Sequence, residues 1–225
     1  MLGFITVAAQ DSTEELKAQA DIVCTGKNDE LTLQKAIDMA VESRKNIYLL
    51  NGIYRIDAFH DFGDGGAKSA LCFPNCVREI RFIGQNLTWG KGRNNGARLY
   101  VSGEALDSID GETDVIRTTW TKKGMSSGSL LDMENITISL SHNQKAIRAI
   151  DLRRCDRPEL KCVSMNAYTD MEAGFGNPPA VPAEGCIGLT MTDGSNTWFS
   201  SFTQVGASGF YEGIQVGGEH VVITN

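Results

Sequence analysis

The stretch that decides the fold runs from Ala20 to Ile56 and reads ADIVCTGKNDELTLQKAIDMAVESRKNIYLLNGIYRI. It passes from a strand-like pair of apolar residues through an acidic turn into a helix-like segment. Two short strand-like segments follow, Ile47–Leu50 and Ile53–Ile56, separated by Gly52. This order predicts a helix that caps the first turn of a stack of β-strands.

The helical part is recognised by apolar residues that recur at steps of three and four and so form one stripe. The stripe comprises Leu31, Leu33, Ala36, Ile37, Ala40 and Val41. Asn28 or Asp29 is placed to cap the helix start, and Glu30 suits the positive end of the helix dipole. We therefore predict a helix from Asp29 to Ser43. A shorter one is expected in Ser12–Ala20, where Ser12 and Glu15 have capping-box spacing.

A sequence pattern in the same stretch resembles a known family. The residues that carry it are Thr25, Gly26, Asn28, Asp29, Gln34, Ala36, Ile37, Asp38, Gly52 and Tyr54. This pattern is similar to the N-terminal cap of pectin-lyase-like right-handed parallel β-helices, especially those of phage and prophage tails. The likeness covers most of the chain and is strongest in Ala20–Ile56 and Gly185–His220.

The resemblance implies an all-β fold, a single-stranded right-handed parallel β-helix (solenoid) with an N-terminal capping α-helix. Residues 1–225 are then one domain, in which 1–56 form the cap and first coil and 57–225 form coils with inserted loops. Glu219–Asn225 looks like the opening strand of another coil, so the natural protein is expected to continue beyond Asn225 or to pack there on another subunit.

Composition supports a β-rich domain and excludes some partners. The chain has 225 residues with 24 glycines and 5 prolines, and its net charge is −7. An acidic chain without a concentrated basic face is not expected to bind nucleic acid. The N-terminus lacks the basic region of a signal peptide and no span is long enough for a transmembrane helix, so we expect no membrane partner and synthesis in the cytoplasm.

The cysteines and histidines give no metal or cofactor pattern. The six cysteines lack the paired spacing of a zinc site and are predicted to be reduced core or turn residues: Cys24, Cys72, Cys76, Cys155, Cys162 and Cys186. The acids between Asp107 and Asp114 lack EF-hand spacing and are interpreted as a solvated turn. We predict neither a metal nor a cofactor.

Weak repeats occur in the second half, as expected of stacked strands. Ile136–Ile138 aligns with Leu160–Cys162 at a step of 24, and Leu189 aligns with Ile214 at a step of 25. Trp198 and Phe199 align with Val221 and Val222 at a step of 23. Four insertions interrupt the repeats and are expected to form the functional face: Asp57–Lys68, Asn86–Gly96, Gly103–Asp114 and Asn166–Gly185.

Candidate catalytic residues are acids, because glycoside hydrolysis needs two carboxyl groups about 5 to 10 Å apart. Asp151 is the best placed, since Ile150 and Leu152 should point inward and Asp151 outward. Asp170 and Glu172 lie in the longest insertion and complete the predicted catalytic set. The predicted substrate-binding residues are Arg153, Tyr168, Trp198 and Glu212.

Elimination remains open as an alternative, because it needs a base and a cation that faces a uronate. The cluster Arg148, Arg153, Arg154 and Arg157 would supply that charge, but no pectate-lyase calcium pattern is present.

The resemblance implies a phage or prophage tail-associated protein that recognises, and in the enzymatic alternatives cleaves, a polysaccharide. It further implies a homotrimer located in the virion tail or outside the cell after release. The sequence leaves three roles open: a glycan-binding module, a glycoside hydrolase or polysaccharide lyase, and a structural tail component without catalysis.

Overall fold

The computed structural model describes residues 3–74, 79–87, 96–119, 130–167, 181–192, 200–217 and 220–224. Within these ranges it has three helices, α1 (Glu14–Lys17), α2 (Asp29–Ser43) and α3 (Gly103–Asp107). The strands are β1 (Phe4–Ala8), β2 (Ile22–Val23), β3 (Asn46–Leu49), β4 (Gly52–Ile56), β5 (Lys68–Phe73), β6 (Glu79–Gly84), β7 (Ala97–Val101), β8 (Thr113–Thr118), β9 (Leu130–Leu140), β10 (Ile147–Asp151), β11 (Glu159–Asn166), β12 (Cys186–Thr190), β13 (Ser201–Ser208), β14 (Glu212–Gln215) and β15 (Val222–Thr224).

Helix α2 has the bounds that its apolar stripe predicts. The stripe residues Leu33, Ala36, Ile37 and Ala40 are buried, and the helix packs against β1, β3, β4 and β5. Leu31 is 55% exposed, so its assignment to the stripe is wrong. The reason is geometric, because two residues correspond to about 200° of rotation between Leu31 and Leu33.

The predicted helix caps differ from those observed. Asn28 has a left-handed backbone with φ of 49° and makes no side-chain hydrogen bond to α2. The Asp29 carboxylate accepts hydrogen bonds from the backbone N–H groups of Thr25, Gly26 and Arg55, so it fixes the preceding turn and strand β4. In α1 the cap is Thr13, whose Oγ1 accepts from the Leu16 N–H, and not Ser12.

The strands form two parallel sheets. One has ten strands in the order β15-β13-β11-β9-β6-β3-β1-β2, with β7 joined to β9 and β4 joined to β7. The other has five strands in the order β14-β12-β10-β8-β5. From β8 to β15, successive strands alternate between the two sheets. Residues from both sheets and from α2 contribute to one cluster of buried apolar side chains.

These findings correct the fold class predicted from the sequence. Instead of the predicted all-β right-handed β-helix (solenoid), the protein has mostly parallel strands in two sheets together with a few helices, an α/β arrangement. Helix α2 is not a peripheral cap, because its buried face belongs to the central core. The prediction gave the apolar repeats steps of 23 to 25 residues, whereas the register of β9 and β11 has a step of 27.

The registers test the predicted repeats directly. Ile136 pairs with Val163, a step of 27 residues, so the predicted step of 24 is wrong. Leu189 pairs with Ile214, which confirms the predicted step of 25. Trp198 and Phe199, which carried the step of 23, lie outside the described residues.

A row of three left-handed residues runs across the ten-stranded sheet. Asn135, Cys162 and Gln204 have φ values of 57°, 53° and 54°, and they occupy the same level of β9, β11 and β13. A left-handed residue interrupts the alternation of a strand and bends it. At this row β9 changes its second neighbour, since it pairs with β6 through Glu134 and with β7 from Ile136 onward.

Candidate functional site

Charged side chains line the outer face of three adjacent strands, β6, β9 and β11. Each strand alternates charged and apolar residues, so Leu131, Met133 and Leu160 enter the core while their charged neighbours face away from it. We call this set the acidic groove, and it comprises Glu79, Arg81, Asp132, Glu134, Glu159 and Lys161. A small open cavity of about 120 Å³ lies among these side chains.

The register brings the groove residues into two rows. Asp132 is paired with Arg81 on one side and with Glu159 on the other. In the second row, Glu134 is paired with Lys161 on the adjacent strand. Two cations contact Glu134, since Lys161 Nζ lies 3.1 Å from Oε1 and Arg81 Nη2 lies 3.5 Å from Oε2.

Asp132 differs from its neighbours in its affinity for a proton. Its pKa rises from 3.8 to about 7, first because burial disfavours the charged form, and then because of its hydrogen bond to Glu79 and the charges of Glu79 and Glu159. The Arg81 charge opposes this rise in the pKa. A carboxyl group with a pKa near 7 exchanges its proton around neutral pH, the property required of a general acid.

A second charged cluster lies on the five-stranded sheet and is closed to solvent. Asp114 on β8 and Arg148 on β10 are register partners and form a hydrogen-bonded ion pair. Arg153 binds the Asp151 carboxylate, with Nη2 2.7 Å from Oδ2 and Nε 3.0 Å from Oδ1. We call these four residues the buried cluster, since Asp114 and Asp151 are almost fully shielded from water.

The buried cluster contains two of the residues predicted for the site. Asp151 and Arg153 contact each other directly, as a substrate carboxylate and an arginine would. Asp151 is only 2% exposed, so its outward direction from the strand does not make it accessible. In this conformation the pair fixes the end of β10.

Of the other predicted site residues, Glu212 is the one within the described part of the chain, and it does not contact Asp151. Glu212 lies on β14 at the edge of the five-stranded sheet, and it accepts a hydrogen bond from Gln215. Gln215 in turn accepts a hydrogen bond from Thr190, the residue of β12 that pairs with Asp151. Tyr168, Asp170, Glu172 and Trp198 lie outside the described residues.

The sequence analysis missed the acidic groove. Its signal is the repeated pattern charged, apolar, charged at the start of three strands, in Glu79–Arg81, Asp132–Glu134 and Glu159–Lys161. The alternation within each segment can be read from the sequence. The side-by-side position of the three segments cannot, because it depends on the register of β6, β9 and β11.

Three further observations concern the described part of the chain. Its five cysteines, Cys24, Cys72, Cys155, Cys162 and Cys186, are free thiols, which confirms the reduced state predicted for them, while Cys76 lies outside it. Among the residues placed by the structure, no group of three or more His, Cys, Asp and Glu side chains could hold a metal ion. Nor do the described ranges contain a helix with the length and apolarity needed to span a bilayer.

Comparison with known proteins yields no relative for this chain. No family model, no curated protein and no solved structure matches it. The resemblance to pectin-lyase-like proteins therefore stays a prediction.

Proposed function

We propose that the protein binds a polysaccharide on the outer face of its ten-stranded sheet and hydrolyses a glycosidic bond in the acidic groove. The observation that carries the proposal is the pairing of Asp132, whose pKa is raised to about 7, with Glu159 on the adjacent strand. An acid and a carboxylate flanking one bond are the pair that glycoside hydrolysis needs.

The strand spacing favours one stereochemical course. Neighbouring strands lie about 4.8 Å apart, so register partners such as Asp132 and Glu159 are near neighbours. Carboxyl groups about 5 Å apart belong to glycosidases that retain the configuration at the anomeric carbon. In this mechanism Asp132 protonates the leaving oxygen while Glu159 bonds to the anomeric carbon. A water molecule, deprotonated by Asp132, then attacks the anomeric carbon and breaks its bond to Glu159. This releases the sugar and restores the proton on Asp132.

A row of polar side chains extends from the groove and supplies a surface for the rest of the chain of sugars. Glu134, Lys161, Thr203 and Thr224 occupy one level of β9, β11, β13 and β15. The hydroxyl groups of Thr203 and Thr224 lie 3.0 Å apart. Hydroxyls, an ammonium and a carboxylate in line offer the donors and acceptors that sugar hydroxyls require.

The experiment is incubation of the purified chain with a panel of neutral and acidic polysaccharides, following reducing ends and the ultraviolet absorbance of unsaturated uronates. We expect new reducing ends without unsaturated products. Asp132→Asn and Glu159→Gln should abolish cleavage while retaining binding to the same polysaccharide. Glu15→Gln, an exposed acid on α1, is the matched control and should cleave normally.

Retention of a polysaccharide without cleavage would contradict the hydrolytic step and leave a binding module. Unsaturated products would replace hydrolysis with elimination. Absence of both binding and cleavage across the panel would overturn the proposal.

A second candidate, a structural role in an assembly, is favoured by apolar side chains at the ends of both sheets. Val222 and Ile223 on the outermost strand β15 are 56% and 54% exposed, and Ile214 on β14 is also exposed. Exposed edge strands with apolar side chains pair readily with another chain. Homotrimer formation, as in a phage-tail protein, is the form of assembly that we propose for this role.

A further inference from the structure

A glycine-rich loop folds over the five-stranded sheet and holds an aspartate against a buried arginine. The loop, residues 61–66, is closed at its base by a two-hydrogen-bond bridge between His60 and Ser69. We call it the strap. Its Asp64 carboxylate accepts from Arg117 Nη1 at 2.6 Å and from Arg117 Nη2 at 2.8 Å. The Phe62 ring lies 5.6 Å from the same guanidinium.

We propose that Arg117 is a binding site for a carboxylate-bearing ligand, and that Asp64 occupies it as an internal substitute for that ligand. The paired arrangement of two parallel N–H donors on two carboxylate oxygens is the one by which arginine recognises carboxylates. Opening of the strap would withdraw Asp64 and present the guanidinium. This site is separate from the acidic groove, and the inference does not depend on hydrolysis there.

Arg117 has the features of a built site. It is the next-to-last residue of β8 and is 0% exposed. Its Nε has no hydrogen-bond partner among the described residues, although Nη1 and Nη2 are satisfied by Asp64. A buried arginine with an unused donor has a further place for an acceptor. A buried ion pair is also a costly way to stabilise a loop, since apolar packing of similar volume usually does as well.

Two glycines give the strap backbone freedom on both sides of Asp64. Gly63 and Gly65 have φ values of 69° and 78°, and a Cβ at either position would meet nothing within 4 Å. Asp64 and Phe62 contact Arg117, while the Gly63 and Gly66 N–H groups bond to carboxylates within the strap. Left-handed glycines on both sides allow Asp64 to turn toward Arg117, and they also allow the tip to turn away.

Space for the body of a ligand lies directly beside the strap. A cavity of about 320 Å³ begins at Gly65 and Gly66 and is bounded on the other side by Asp110, Gly111 and Glu112. Its volume falls within the range of small-molecule sites, about 300 to 1,000 Å³. The cavity is lined by the strap residues Gly65 and Gly66 and not by Arg117 itself, so a ligand would reach the guanidinium from it only after the strap has opened.

The probe is 4-fluorobenzoate, a carboxylate with a flat body, whose binding is followed by fluorine NMR. In the natural protein Asp64 competes with it at the millimolar effective concentration of a short tether. Asp64→Ala should therefore tighten binding by at least about tenfold, the scale of one charge-assisted pair. Asp61→Ala, in the same strap but not on Arg117, is the matched control and should bind like the natural protein.

The double variant with Asp64→Ala and Arg117→Lys keeps the positive charge but loses the two-donor geometry, so the gain should disappear. Equal binding by Asp64→Ala and the natural protein would overturn the proposal, as would undiminished binding by the double variant. If either variant fails to fold, hydrogen exchange in the natural protein decides. Saturating 4-fluorobenzoate should speed exchange at the Gly63 and Gly66 amides, and unchanged rates would refute the proposal.

Discussion

Asp114 on β8 and Asp151 on β10 lie on neighbouring strands, and one arginine contacts both carboxylates. Arg148 Nε is hydrogen-bonded to Asp114 and lies 3.9 Å from Asp151 Oδ2. Burial, and then the Asp151 charge, raise the pKa of Asp114 from 3.8 to about 7, although Arg148 acts in the opposite direction. Two carboxylates thus share the cations of the buried cluster, and the pKa of one of them, Asp114, lies near neutrality.

This arrangement predicts how stability depends on pH. The folded state holds the Asp114 proton more tightly than the unfolded chain, so the contribution of this proton to the free energy of unfolding is complete below pH 3.8. It is lost as the pH rises through about 7. Asp114→Asn should flatten the fall of the unfolding free energy over this range, measured by urea denaturation. Asp38→Asn, at an exposed residue of α2, is the control and should show the same fall as the natural protein. If the unfolding free energy of Asp114→Asn falls with pH as steeply as that of the natural protein, the prediction is contradicted.

The proposed hydrolysis predicts an alkaline limit set by Asp132. Because its pKa is about 7, kcat/KM should fall as the pH rises above that value and the acid loses its proton. Glu79→Gln removes the charge that raises this pKa, so the alkaline limb should move to lower pH. Arg81→Gln removes the charge that lowers it, so the limb should move to higher pH. Identical pH profiles for both variants and for the natural protein would rule out Asp132 as the acid.

A close backbone approach at Gly84 predicts a large effect of one methyl group. A Cβ at Gly84 would collide with the carbonyl oxygen of Asn135, the first residue of the left-handed row. Gly84→Ala should therefore destabilise the protein by about 2 kcal/mol or more, because the backbone must shift. Gly111→Ala, where a Cβ meets nothing within 4 Å, is the control. Thermal unfolding of the two variants measures the difference, and equal melting temperatures would contradict it.

The elements that sequence predicted are those specified by local periodicity. Helix α2 has the predicted bounds, and β3 and β4 differ from their predicted segments by one residue at the ends. Each depends on residues within a few positions of one another, where apolar spacing and glycine punctuation decide the outcome.

The features that sequence missed depend on contacts between distant residues. The step between β9 and β11 is 27 residues on both sides of the left-handed Asn135 and Cys162, and it depends on the chain that joins the two strands and not on local propensity. Asp64 and Arg117 are 53 residues apart and meet only through the strap. Asp151 was expected to be accessible, but the ion pair with Arg153 and the Asp114 neighbour bury it.

The exposed edges predict self-association. Val222 and Ile223 lie on the outermost strand of the ten-stranded sheet with more than half of each side chain exposed. Replacing both with aspartate places charges on the edge, which opposes strand pairing between chains. We expect light scattering after size exclusion to give a trimer for the natural protein and a monomer for the double variant. Val181→Asp, at a residue 85% exposed elsewhere, is the control and should leave the mass unchanged. A monomeric natural protein would remove the structural role, whereas a trimer that survives both aspartates would place the contact on another surface.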